Sequence, residues 1–161
     1  MESQTKMAPA ELAGWIRKAG KAQRTLEFQC PYVKDFFVQI TYASKFILTQ
    51  IREVAREIWT NPRTREREEK MNDDKLRKEY AKQIIAGWRG LTVEKLSKFL
   101  PGIKIEGATS KDTEVPFEAD VAVAFLEVSI EFENWVVSTA TEVENYSSVA
   151  EQKKAEFENL A

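Results

Sequence analysis

FEADVAVAFLEVSIEFENWVVSTA, residues 117–140, is the stretch on which the fold class turns. Val121, Phe125, Val128, Phe132 and Trp135 follow spacings of four, three, four and three, the seam of an amphipathic helix. Val128, Ile130 and Phe132 also alternate as a strand does, and β-branched residues are plentiful; periodicity alone does not separate the two over a short apolar run. The seam is sustained for more than twenty residues without a turn signal, which favours helix. Pro116 just upstream fits the start of that helix, with Glu114 and Glu118 near its positive dipole end.

Toward the N-terminus, helical and alternating patterns take turns. Asp73 or Asp74 can cap a helix carrying Leu76, Tyr80, Ala81, Ile84, Ile85 and Trp88 on one side, with Gly87 and Gly90 bracketing its end. Thr92 caps a shorter one, VEKLSKFL, which Pro101-Gly102 stops. GIKIEGATSKDTEV reads as an exposed loop, with room for a small strand at Ile103 to Ile105. Ser44 to Trp59 carries a stripe of Ile47, Ile51, Val54 and Ile58, widened by Leu48, Ala55 and Trp59; Asn61-Pro62 ends it. RTLEFQC and the run from Phe36 to Tyr42 alternate with period two and predict a β-hairpin, which an isolated chain segment sustains only marginally. Ala8 to Lys21 reads as a short helix with Pro9 in its first turn, Gly20 at its end and Leu12, Trp15, Ile16 and Ala19 on one face. The final stretch, NYSSVAEQKKAEFENLA, is polar, anchored by Val149 and Phe157, and suits a short helix.

The expected architecture is therefore mainly α with a small N-terminal β-hairpin, an α+β chain whose helical bundle packs on or beside the hairpin. Residues 1–22 form an N-terminal helix or extension, 23–146 the hairpin-plus-helices domain, and 147–161 a polar tail or short helix. At 161 residues the chain is long enough to bury a proper core.

Composition narrows the chemistry. Histidine is absent, which removes the commonest general acid/base near neutral pH, the commonest transition-metal ligand and every Ser-His or Cys-His nucleophile pair. Cys30 stands alone, so neither an intrachain disulfide nor a multi-cysteine metal site can form. Gly87 and Gly90 lack the downstream Lys-Ser/Thr of a phosphate loop, and no G-x-S-x-G elbow occurs. The carboxylate pairs Glu68-Glu69, Asp73-Asp74 and Glu131-Glu133 follow no ligand loop and read as surface charge. The expectation is a chain with no catalytic residues, metal or cofactor, although carboxylate or lysine chemistry stays open. A net charge of −2 supplies no global field toward nucleic acid or anionic lipid. Val121 to Leu126, the longest apolar run, is far short of a bilayer span of about 20 residues. The opening MESQTKMAPAELAG is not a secretory signal, which implies a cytosolic protein.

The stretch PRTREREEKMNDDKLRKEY can be read in two ways. Its basic residues Arg63, Arg65, Arg67, Lys70, Lys75, Arg77 and Lys78 could contact nucleic acid, as in a regulator. The interleaved Glu and Asp instead favour a solvated helix or helix-turn-helix connector. Aromatic residues are 11% of the chain and serve either as core or as interface anchors. Trp88 and Trp135 lie inside helical seams and read as core. Trp15 and Trp59 lie near segment ends, and Tyr32, Phe36 and Phe37 lie on a hairpin whose second strand is apolar on both faces. These five are the candidate partner-binding residues; a two-faced strand calls for cover from a partner or a second copy.

One resemblance rests on the order of several short motifs. A hairpin and helix are followed by GWRGLT (Gly87 to Thr92), then Val115-Pro116-Phe117, then Phe132-Glu133-Asn134-Trp135-Val136. This order resembles the tail assembly chaperones of long-tailed bacteriophages over roughly Leu26 to Tyr146, the motif residues being Trp88, Gly90, Leu91, Pro116, Phe117, Phe132 and Trp135. Many members place an acidic residue just before the tryptophan, where this chain has Ala86-Gly87; the helix to Lys21 and the charged stretch after Pro62 look like additions. The resemblance implies a non-catalytic, self-associating protein of the infected bacterial cytoplasm. It implies binding to the tape-measure protein and to tail-tube protein, and absence from the finished virion; the small net charge and short apolar runs add the expectation of no nucleic acid or membrane partner. A tail-completion or connector subunit that stays in the particle is the neighbouring alternative.

Overall fold

The computed structural model describes residues 6–102 and 111–147. The alternation at the N-terminal side yields β1 (Thr25–Gln29) and β2 (Phe37–Thr41), antiparallel, with Leu26 opposite Ile40 and Phe28 opposite Val38. Val38 and Ile40 point to one face and are fully buried, while Gln39 between them is exposed. The hairpin carries a third strand. β5 (Ile85–Arg89) pairs with the other edge of β2, so the sheet order is β1-β2-β5.

That third strand corrects the helical reading of Ile84 to Trp88. Helix α3 (Asp73–Gln83) is capped by the Asn72 side chain, which accepts from Lys75 N, not by Asp73 or Asp74, and it stops before Ile84. Gly87 would cost about 1 kcal/mol in a helix interior relative to alanine, but the decisive feature is a bulge. Trp88 faces Val38 and Gly87 faces Gln39, yet Ile85 faces Ile40, leaving Ala86 as an extra residue. The inserted residue reverses the strand's phase, so Ile85 and Trp88, three positions apart, both turn to the core. Their spacing imitates a helix.

A second correction concerns the charged stretch. Helix α2 (Lys45–Ala55), capped by Ser44, ends four residues before Trp59, and the chain continues as β3 (Arg56–Thr60), a turn, and β4 (Arg67–Met71). The turn is closed by Asn61 N donating to Glu66 O and Arg65 N to Asn61 O, while the Asn61 side chain accepts from Arg63 N; Arg65 adopts a left-handed backbone with φ of 59°. All ten strand residues are exposed. With no buried face there is no alternation to see, and so this segment read as helix.

The stretch that decided the fold class is helical, as two helices. α5 (Ala119–Val128) and α6 (Ile130–Thr141) meet at Ser129, an extended residue whose hydroxyl caps α6 by accepting from Phe132 N. Helix α5 starts three residues after Pro116, not at it. Val115 N donates to Leu91 O, and Thr92 bridges Glu114, which keeps that segment extended. Helix α4 (Val93–Phe99) is capped by Thr92 as expected, and α1 (Pro9–Lys21) spans the predicted N-terminal helix. The readings at Ile103 to Ile105 and around Val149 and Phe157 lie outside the described residues.

The architecture is α+β: α2 packs on α3, α3 on α5, α5 on α6, and α6 on the core face of β2. Phe36, Ile40, Ile84, Leu126, Phe132 and Val136 are among its fully buried side chains. After α6 a 3-10 turn (Val143–Tyr146) brings Tyr146 over Phe28 and donates its hydroxyl to Ile40 O at 3.1 Å; burial raises that phenol's pKa.

Candidate interaction surfaces

The motif residues converge on one aromatic centre. Trp88 meets Phe117, Phe125, Phe36 and Phe132 edge-on at 5.0, 6.1, 6.3 and 6.4 Å between ring centroids. Its indole N–H donates to Val115 O at 2.9 Å. Phe125 and Phe132 stack across the α5–α6 break at 3.8 Å, and Trp135 lies 6.2 Å beyond Phe132. Leu91 is fully buried beside them, and Pro116, exposed, leads Phe117 in. Gly90 takes a φ of 79°, and a Cβ there would collide with the Asp35 carbonyl oxygen. Each ring pair adds about 0.5–1.5 kcal/mol beyond its buried area. These residues hold the sheet, α4 and the α5–α6 pair together; apart from Pro116 they are structural.

The five candidate partner-binding residues divide. Phe36 is fully buried, because it lies in phase with Val38 and Ile40, and so it is a core residue and not a surface anchor. Phe37 lies on the opposite face of β2, under the Arg89 guanidinium at 4.1 Å from its ring. Arg89 reaches across to Glu27 through two hydrogen bonds of 2.9 and 2.7 Å. The Arg89–Glu27 pair, from β5 and β1, thus covers part of that face, and Phe37 is half-buried. Tyr32, Trp15 and Trp59 are exposed, on the β1–β2 loop, α1 and β3 respectively.

Sequence reasoning passed over the aliphatic neighbours of those rings. Of thirteen large exposed apolar side chains among the described residues, Met7, Leu12, Trp15 and Ile16 belong to α1 and its approach; Val54, Ile58, Trp59 and Met71 belong to the β3–β4 hairpin and the α2 end that carries it. A stripe that is helical in spacing but has no counterpart elsewhere to cover it is the signal that marks such groups, and only structure supplies the counterpart.

The polar residues are largely occupied with one another. Lys75 meets Glu57 at 2.9 Å, and Arg77 meets Glu133 at 3.1 Å, tying α3 to α6. Lys70 lies over the Trp59 ring at 4.1 Å, and Arg56 faces Glu69 at 3.6 Å. Lys75, Glu57, Arg77 and Glu133 therefore act as ties within the fold, while Arg63 and Arg65 stand at the exposed hairpin turn. The Cys30 thiol is buried, and desolvation raises its pKa, which disfavours the reactive thiolate. Among the described residues no cluster of three or more Cys, Asp or Glu is placed to hold a metal, and no helix is long and apolar enough to cross a membrane.

The family model of the YdaY prophage protein matches residues 42–157, more than two-thirds of the chain. The chain belongs to the YdaY prophage family. It is therefore of phage derivation, as the resemblance implied at its coarser level. The YdaY match takes in the exposed hairpin and the Trp88 centre apart from Phe36, and it begins after α1, β1 and β2. No curated protein and no solved structure matches the chain.

Proposed function

We propose that this YdaY-family protein is a non-catalytic tail assembly chaperone. It holds the tape-measure protein through the β3–β4 hairpin, brings tail-tube subunits to it in the cytoplasm of the infected host, and leaves before the particle is complete. The observation that carries this reading is the hairpin itself. Ten exposed strand residues stand off the core, with Ile58 64% and Trp59 40% exposed. A two-stranded ribbon is marginal by itself in water, and this one carries three large exposed apolar groups, Ile58, Trp59 and Met71.

The ribbon suits a long amphipathic helix. Ile58 and Met71 share one face with Arg56, Glu69 and Arg67, while Trp59 shares the other with Lys70, Glu57 and Glu68. Each face thus offers an apolar centre rimmed by both signs of charge, which meets the apolar stripe and charged flanks of a client helix. The order of the Trp88, Phe117 and Phe132 motifs supports the assignment at the level of family resemblance, and the prophage match supports the phage setting.

Co-expression with the tape-measure protein of the same prophage tests this reading. The expected outcome is a soluble complex that the double variant Ile58→Ser/Trp59→Ser no longer forms, although its circular dichroism and melting are unchanged. A tape-measure protein whose solubility is indifferent to the chain sinks the proposal. Mass spectrometry of finished particles should find the tape-measure protein without this one; stoichiometric presence would make it a structural component instead.

A further inference from the structure

Helix α1 is the one α-helix among the described residues that buries no side chain. Leu12, Trp15, Ile16 and Ala19 form one face, with Trp15 61% and Ile16 56% exposed. It touches the body lightly along α2, where the Lys21 ammonium lies 5.8 Å from the Phe46 ring centre. The segment is also basic: Lys6 to Arg24 holds five basic residues against Glu11 alone.

The opposite character lies at the other end of the chain. Glu118 to Ser147 contains seven acidic residues and no basic one. At its centre the break at Ser129 leaves Val128 and Ile130 side by side at the α5–α6 corner, 58% and 73% exposed, flanked by exposed Glu127 and Glu131. An aliphatic pair flanked by carboxylates thus matches an apolar helix face flanked by Arg17 and Lys18, in apolar character and in sign of charge.

We propose that α1 of one copy seats on the α5–α6 corner of a second copy. A basic amphipathic helix alone would also suit an anionic lipid surface; the complementary acidic, apolar corner on the same polypeptide is what selects a second copy as the occupant. Donor and acceptor are different surfaces, so the contact is heterologous and repeats head to tail, closing to a ring or growing as a chain. Rim charges make it weaken as salt rises. It involves no hairpin residue and so stands or falls apart from client binding.

Size-exclusion chromatography with light scattering on the full chain, across concentration and salt, gives the test. Self-association is expected, with Trp15→Ser/Ile16→Ser (donor) and Glu127→Lys/Glu131→Lys (acceptor) each weakening it about tenfold or more. All four positions are exposed, and unchanged circular dichroism confirms folding. Mixing the two variants is the discriminating step. The donor variant keeps its corner and the acceptor variant keeps its α1, so together they form a 1:1 heterodimer that neither forms alone. A chain that stays monomeric throughout overturns the proposal, as does association that both variants leave intact, or variants that fail to complement. Vesicles of anionic lipid serve as the control: binding that Trp15→Ser abolishes in a chain monomeric at every concentration assigns α1 to the membrane and also overturns it.

Discussion

Trp88 and Trp59 are both indoles on five-residue strands, and both occupy stretches whose spacing reads as helix. Trp88 lies in β5, which adds to an existing sheet; four phenylalanine rings surround it, and a carbonyl takes its N–H. Trp59 lies in β3, whose one strand neighbour among the described residues is β4, REEKM, and its ring meets a lysine ammonium. Burying a large apolar side chain is worth about 1.5–3 kcal/mol, whereas a cross-strand pair on a solvated ribbon contributes about 0.2–1 kcal/mol. The difference teaches that aromatic content does not distinguish core from contact surface. What distinguishes them is whether other elements bring apolar faces to the same place. The Trp88 centre should open only with the whole fold, while the hairpin can open or bind independently.

Phe132 tests the first half of that contrast most severely. Phe132→Ala removes the ring stacked on Phe125 and leaves a cavity among four other rings, which costs about 3–5 kcal/mol; an unfolding free energy from urea titration lowered by less than about 1 kcal/mol would mean the centre is not packed as described. Gly90→Ala follows, at about 2–3 kcal/mol, from left-handed backbone strain compounded by the collision with the Asp35 carbonyl. Ile58→Ser/Trp59→Ser comes next. Its stability effect should lie within about 0.5 kcal/mol, and a loss above about 2 kcal/mol would show that the hairpin is bound to the body and not free for a client.

The same contrast explains what was legible beforehand. The β1–β2 hairpin could be read because Leu26, Phe28, Val38 and Ile40 alternate toward a buried face. The cap at Thr92 could be read because a hydroxyl before an apolar run has few other uses. β5 could not, since the unpaired Ala86 turns a period of two into a spacing of three. β3 and β4 could not either: with both faces in solvent, nothing constrains the pattern, and Glu and Lys fill it. The break at Ser129 hid because Phe125 and Phe132 remain in register across it, stacked as though the seam were continuous. At the candidate surfaces, Trp59 lies near the end of its segment as read, whereas Trp15 falls at the middle of α1 and is exposed because that helix buries no side chain, and Phe36 was misplaced because either face of β2 could have been the buried one. Ile58, Val128 and Ile130 were missed because isoleucine and valine read as core until a structure shows that nothing covers them.

The smallest expected effect lies at the hairpin's root, where Glu57 accepts from the Lys75 ammonium at 2.9 Å and the Asn72 amide at 3.0 Å. Both partners belong to the start of α3, so the carboxylate joins β3 to the helix that follows β4. The hydrogen bond from Lys75 is the largest cause lowering the Glu57 pKa below its ordinary 4.5, with Asn72 second. A folded-state pKa below the unfolded value means the tie contributes at every pH above about 4.5 and is lost as pH falls through the folded value. The protection factors of β3 and β4 amides, each rate taken relative to its intrinsic rate at that pH, should therefore be flat from neutrality down to that region and then fall, while those around Trp88 stay high over the same interval. Glu57→Gln keeps an acceptor for Asn72 but removes the charge, so its hairpin should exchange faster at neutral pH and lose the acid dependence. Because the pair is exposed, added salt should shrink the difference between the two proteins. If Glu57→Gln instead loosened the Trp88 centre as much as the hairpin, the two regions would form one cooperative unit, and the distinction between a closed core and an independent contact ribbon would fail.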